Sequence, residues 1–131
     1  FKIPWVRRPF DLPLSAGGVS WKTRLASKSF GFVRAGFHRK LASHHCRTTD
    51  HFAGFQITGR FDAAELSKLI RGLPEGTTEF MCHPGFCTGE LRGARTRLKE
   101  SRRQELDALT SGEVRKAIEE SGVKLARYRD L

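Results

Sequence analysis

His83 is the residue in this sequence best placed to move a proton. It follows a short run, Thr77-Thr78-Glu79-Phe80-Met81-Cys82, and is followed at once by Pro84 and Gly85. Phe80 and Met81 suit a buried strand, and a Pro-Gly pair breaks a ladder. The pattern therefore sets His83 at the C-terminal end of a strand, on the rim where α/β proteins build their sites. Imidazole titrates near neutral pH and serves as general acid or base. The competing reading is a structural histidine at a turn. Gly85 beside it would let a ligand approach closely. Glu79 lies four residues earlier, so strand alternation puts it on the face of His83, where it either orients the ring or pairs with an arginine. Arg7 closes another short apolar stretch and offers a contact for an anionic or polar group. His51 precedes a strand and, if the strands are parallel, lies at the end opposite His83, which favours a structural role.

His44, His45, Cys46, His51, Cys82, His83 and Cys87 invite a zinc reading. Structural zinc sites show paired ligands two to four residues apart in two matched halves. Cys82 and Cys87 do not have that spacing, and His44-His45-Cys46 is contiguous, so a self-contained zinc module is not expected. Three cysteines give no disulfide framework and suit reduced thiols in a cytoplasmic setting.

The elements that must position these residues follow from pattern. Residues 2–7 read as a short strand with Pro4 at its entry, and residues 11–18 as a loop around Pro13 and Gly17-Gly18. Residues 20–43 carry Trp21, Leu25, Phe32, Val33, Phe37 and Leu41 at helical intervals, with Gly31 and Gly36 weakening the helix. Residues 44–50 are a polar loop. Residues 52–57 form a strand whose Gly54 marks a bulge or the close approach of another backbone. The clearest helix spans 61–72, opened by Asp62 with Glu65 and stopped by Gly72 and Pro74. Pro74-Glu75-Gly76 turns the chain into the strand at Thr77. Beyond Gly85, residues 86–89 are irregular. A charged helix over 95–109 buries Leu98, Leu106 and Leu109, a second begins at Thr110-Ser111-Gly112-Glu113 and ends at Gly122, and residues 123–128 form a last strand. About four strands alternating with helices predict an α/β fold. A closed parallel barrel needs eight, so the count predicts a partial (β/α) barrel lacking its N-terminal half.

Composition bounds the rest. At 131 residues and 38% hydrophobic content the chain suits one domain over residues 1–131, with no apolar run long enough to span a bilayer and no signal-peptide pattern. The net charge of +10 is uneven: ten Lys or Arg stand against one acid in residues 1–47. Such a block suits a nucleic-acid or anionic-surface contact through residues 21–47, or a solvated helix, or a face that meets an acidic segment. The chain begins at Phe1 and its single Met is Met81, which predicts a piece of a longer protein.

Three blocks together resemble the YdjC-like carbohydrate deacetylase family, which contains chito-oligosaccharide and hopanoid-associated deacetylases. They are Ile3-Pro4-Trp5-Val6-Arg7-Arg8-Pro9; Asp50-His51-Phe52-Ala53-Gly54-Phe55 with Thr58-Gly59; and Leu73-Pro74-Glu75-Gly76 through Thr78-Glu79-Phe80-Met81-Cys82-His83-Pro84-Gly85. The third continues into Arg102-x-x-Glu105-Leu106-x-x-Leu109 and Gly122-Val123-Lys124-Leu125 with Tyr128. The resemblance implies a distorted (β/α) barrel that removes N-acetyl groups from amino sugars or oligosaccharides with a divalent metal, magnesium or zinc. It implies His83 as the general acid, with Arg7 and Glu79 binding or orienting and Phe86 either stacking on a sugar ring or packing. The family's metal ligands come from an Asp-Asp motif and a His-rich segment. No Asp-Asp pair occurs here, so the ligands are expected upstream of Phe1, this chain alone is expected to be inactive, and its open half-barrel is expected to aggregate or to pair, for instance as a homo-oligomer. An N-acetylated sugar is the expected partner, in preference to nucleic acid.

Overall fold

The computed structural model describes residues 3–12 and 33–131. The predicted loop at 11–18 and the first part of the predicted helix at 20–43 lie mostly outside them. Among the described residues, five α-helices and two strands run in the order α1 (Arg34–Ser43), β1 (His51–Ala53), α2 (Ala63–Arg71), β2 (Thr78–Phe80), α3 (Gly89–Gly93), α4 (Glu100–Leu109) and α5 (Gly112–Glu120), followed by a 3-10 turn at Tyr128–Asp130. This is a mixed α/β protein. Its chain divides into two compact units, Phe1–Gln56 with Glu75–Met81, and Ile57–Pro74 with Cys82–Leu131.

In the first unit β1 and β2 pair in parallel, His51 with Thr78, Phe52 with Glu79 and Ala53 with Phe80. Met81 extends the ladder by one bond, its N–H donating to Ala53 O at 2.8 Å. Phe52 and Ala53 are buried together with Phe10 and Leu41. The expected strand at 2–7 is reduced, among the described residues, to one parallel bridge between Trp5 and Arg47. Pro4 accounts for this, since it has no N–H to donate and can only offer its carbonyl, which Arg47 N–H takes at 2.8 Å. Immediately after β1, Gly54 adopts φ +124° and a Cβ there would overlap the carbonyl of Met81. The close backbone approach expected at this glycine is present, and β1 ends there because no other residue tolerates it.

In the second unit α2 packs on α4 and α5, burying Phe61, Leu66, Ala108, Val114 and Ala117. The two helix starts read from the sequence are in place. Asp62 caps α2 by accepting from Glu65 N at 2.9 Å, and Ser111 caps α5 by accepting from Val114 N at 3.2 Å.

Two elements differ from expectation. The charged helix expected over 95–109 begins only at Glu100, as α4, and a separate short helix, α3, precedes it, capped by Thr88 and ended where the chain is extended again at Ala94. The strand expected at 123–128 is absent: no ladder partner exists for it among the described residues, and Leu125 is 82% exposed. The chain instead curls at Tyr128–Asp130, where Asp130 Oδ2 accepts from Arg127 N at 3.0 Å. The described strands therefore number two rather than about four.

Candidate active site

In the first unit, Arg7 and Glu79 meet. Arg7 Nε donates to Glu79 Oε1 at 2.5 Å, and the guanidinium lies 5.8 Å from the centroid of the Phe52 ring. Phe52 and Glu79 are register partners across the sheet, so one arginine covers a matched pair of strand side chains. Of the two roles the sequence left open for Glu79, the arginine pairing is the one present. The alternation argument linking it to His83 fails, because β2 ends at Phe80 and the pleat does not continue to residue 83.

At the start of the same sheet Asp50 and Thr77 lock the two strands together. Asp50 Oδ2 accepts from Thr77 N at 2.9 Å and from Thr77 Oγ1 at 2.7 Å. Those hydrogen bonds hold the Asp50 carboxyl below its ordinary range. His51 Nε2 donates to the carbonyl of Glu75 at 3.1 Å, a structural contact.

In the second unit, His83 sits on a turn attached to α4. Its backbone N–H donates to Glu105 Oε2 at 2.5 Å, and the N–H of Gly85 donates to Arg102 O at 3.0 Å. Pro84 has no N–H, so every amide hydrogen of the His-Pro-Gly turn is bonded to that one helix. Arg102 and Glu105 are three residues apart and share a helix face, which gives a physical reason for that spacing. The imidazole Nδ1 of His83 is buried and has no hydrogen-bond partner.

Glu105 is 1% exposed, and its other oxygen, Oε1, accepts from the N–H of Gly59 at 2.7 Å. A buried carboxylate with no cation beside it is costly. Charge-assisted hydrogen bonds, each worth about 1.5–3 kcal/mol, offset that cost. Burial, and then the charge of Glu105, push the Cys82 thiol above its ordinary value, so Cys82 stays neutral beside this anion. Gly59, at φ +72°, lies so close to α4 that a Cβ would meet Leu98 Cδ2 at 2.7 Å.

Phe86 is 68% exposed, with the Arg103 guanidinium 5.6 Å from its ring centroid. An aromatic face held by a cation and open to solvent suits stacking against a ligand better than core packing. At Gly85 an added Cβ would meet Arg102 at 3.9 Å, an ordinary contact.

The residue that the sequence reading left out of the site is Glu105. A signal existed: residues 98, 102, 105 and 109 fall at i, i+4, i+7 and i+11, so Arg102 and Glu105 stand on a stripe that leucines open and close. Of the basic segment at 21–47, residues 33–47 are described. There α1 carries Arg34, Arg39 and Lys40 and no acid. All three cysteines are free.

Among the described residues no group of three His, Cys, Asp or Glu side chains could hold a metal ion. The residues present therefore do not fit the divalent ion that the resemblance implies. Nor, among them, is any helix long and apolar enough to cross a membrane.

Comparison with known proteins places this arrangement. The chain is 34% identical over 96 residues to a chitooligosaccharide deacetylase of Serratia marcescens, a match covering 71% of the chain and 37% of that enzyme. Among solved structures it superposes with TM-score 0.58 on a protein from Enterococcus faecalis V583 described as a cellobiose-phosphate cleavage protein, at 24% identity. That match covers 81% of this chain and 46% of the other, and it speaks to the fold. The chain thus spans less than half the length of either relative. Residues 1–120 match the model of the YdjC-like proteins, and the chain belongs to that family.

Proposed function

We propose that the protein to which these residues belong is a carbohydrate deacetylase, hydrolysing the N-acetyl group of an amino sugar or oligosaccharide, and that His83 is its general acid. The support is the family membership, the likeness to the chitooligosaccharide deacetylase of Serratia marcescens and the state of His83. The observation that carries the assignment is a buried imidazole nitrogen with no partner, on a turn whose amides are all fixed to α4. A structural histidine satisfies its ring nitrogens, as His51 does with Glu75.

The chemistry follows from the amide. Water adds to the acetyl carbonyl, the C–N bond breaks, and acetate and a free amine result. The amine is a poor leaving group until its nitrogen is protonated. His83 supplies that proton as the bond breaks, and regains one that the attacking water gives up. Phe86, in the same unit as His83, offers a face for the sugar ring, and a binding or orienting role for the Arg7–Glu79 pair of the other unit is an expectation of the family resemblance. Barrel closure and the divalent ion, magnesium or zinc, belong to this proposal as expectations of the family. The described residues supply no ligand set, and no step above runs through a metal.

The test is acetate release from N-acetylated chito-oligosaccharides by the complete gene product. His83→Ala is expected to lower kcat by about 10²–10⁴-fold, the usual worth of a positioned acid, while substrate binding is retained. Acetate release at the unmodified rate would remove His83 from the mechanism.

A further inference from the structure

We propose that Glu105 is the positioning residue of His83, a two-sided clamp that fixes the His-Pro-Gly turn against the Thr58-Gly59 turn. The inference rests on the acid assignment made above. The imidazole itself has no carboxylate or carbonyl steering it, since its Nδ1 lacks a partner. The hydrogen bond that locates the residue is therefore on its main chain, where the His83 N–H has Glu105 as its acceptor at 2.5 Å.

The geometry admits one kind of side chain. Both groups facing the carboxylate are N–H donors, Gly59 on Oε1 and His83 on Oε2. Glutamine has one acceptor oxygen and an NH2 group, so it can satisfy one amide only by turning a donor toward the other. Glutamine is nevertheless the same size and shape, which separates the clamp from the packing. Gly59 fits the same reading. At φ +72° and against Leu98 it brings its amide close to α4, where a side chain would hold the turn away. The residues that carry the resemblance include Thr58-Gly59 in the second block and both His83-Pro84-Gly85 and Glu105 in the third; in the structure the Glu105 carboxylate joins the two turns.

The experiment pairs kinetics with amide NMR on the complete gene product. In the unmodified protein the His83 and Gly59 amide protons are expected to lie downfield and to exchange slowly. An amide of either residue that exchanges at an unprotected rate would overturn the clamp, and this measurement requires no variant to fold. In Glu105→Gln, at a temperature where melting shows it folded, at least one of the two amide signals should move upfield. The kcat should then fall by about 10²-fold, the effect of misplacing a reacting group by an ångström, with KM little changed. A folded Glu105→Gln with unchanged kcat, while His83→Ala is inactive, would overturn this inference alone. Acetate release surviving His83→Ala would instead overturn the acid assignment on which it rests.

Discussion

Asp50 and Glu105 are both carboxylates that accept backbone amide hydrogens and tie one segment to another. Asp50 works at the surface, joining the starts of β1 and β2 through Thr77. Glu105 works at 1% exposure, joining two turns to α4. The bonds are alike and the environments are opposite. Water can replace the Asp50 carboxylate when it is removed, so little beyond the net worth of its hydrogen bonds is lost. Water has little access to the place of the Glu105 carboxylate, so its removal leaves two part-buried donors without their acceptor. Exposure, more than bond length, decides which of the two the fold can do without.

Three measurements would break or sharpen that contrast. The largest effect is expected for Glu105→Ala, which strands two part-buried amides. At about 1–3 kcal/mol each, urea unfolding should show a loss of about 3 kcal/mol. Asp50→Ala should lose about 1 kcal/mol by the same measurement, and equal losses would end the comparison. The Asp50 contribution should also depend on pH. Its carboxyl is held below the ordinary value by the Thr77 amide and hydroxyl, so its stabilisation is present in full above the unfolded-state value of about 3.9 and disappears as pH falls through the lower folded-state value. The gap between the unmodified protein and Asp50→Ala should therefore be constant from neutral pH to about 5 and close in stronger acid. The smallest effect is expected at the Arg7–Glu79 pair, whose side chains are 56% and 10% exposed. A double-mutant cycle should return about 0.5–1 kcal/mol, decreasing with salt because the arginine is solvated.

What the sequence disclosed and what it hid divide by range. Asp62 with Glu65, Ser111 before Val114, and Gly72 after α2 act within one helical turn, and each stands where its chemistry predicts. Gly54 was legible because a glycine in a strand signals a nearby backbone, although the sequence did not say that the backbone was that of Met81. The misreadings needed partners distant in the chain. Residues 123–128 have strand-forming side chains, but a strand also needs a neighbour, and among the described residues none is there. Glu79 was assigned to the face of His83 on the assumption that the strand continues through residue 83, and it stops at Phe80. Glu105 carries part of the family resemblance, but its role depends on partners far away in the chain. Only the fold shows that 46 residues separate it from one amide it holds and 22 from the other.

The attachment of the His-Pro-Gly turn to α4 through both of its available amides also restricts how the sequence can change length. The two acceptors, Arg102 O and Glu105 Oε2, are separated by three helical positions. Inserting one residue between them would swing the glutamate about 100° around the helix axis and leave the turn fastened at a single point. An added residue within 83–85 would do the same from the other side. The stretch between α3 and α4 is tied as well, since Lys99 Nζ donates to Arg92 O at 2.5 Å and Arg92 pairs with Glu100. Alignments of relatives should accordingly keep the His83-to-Gly85 and Arg102-to-Glu105 intervals constant even where the residues around them drift.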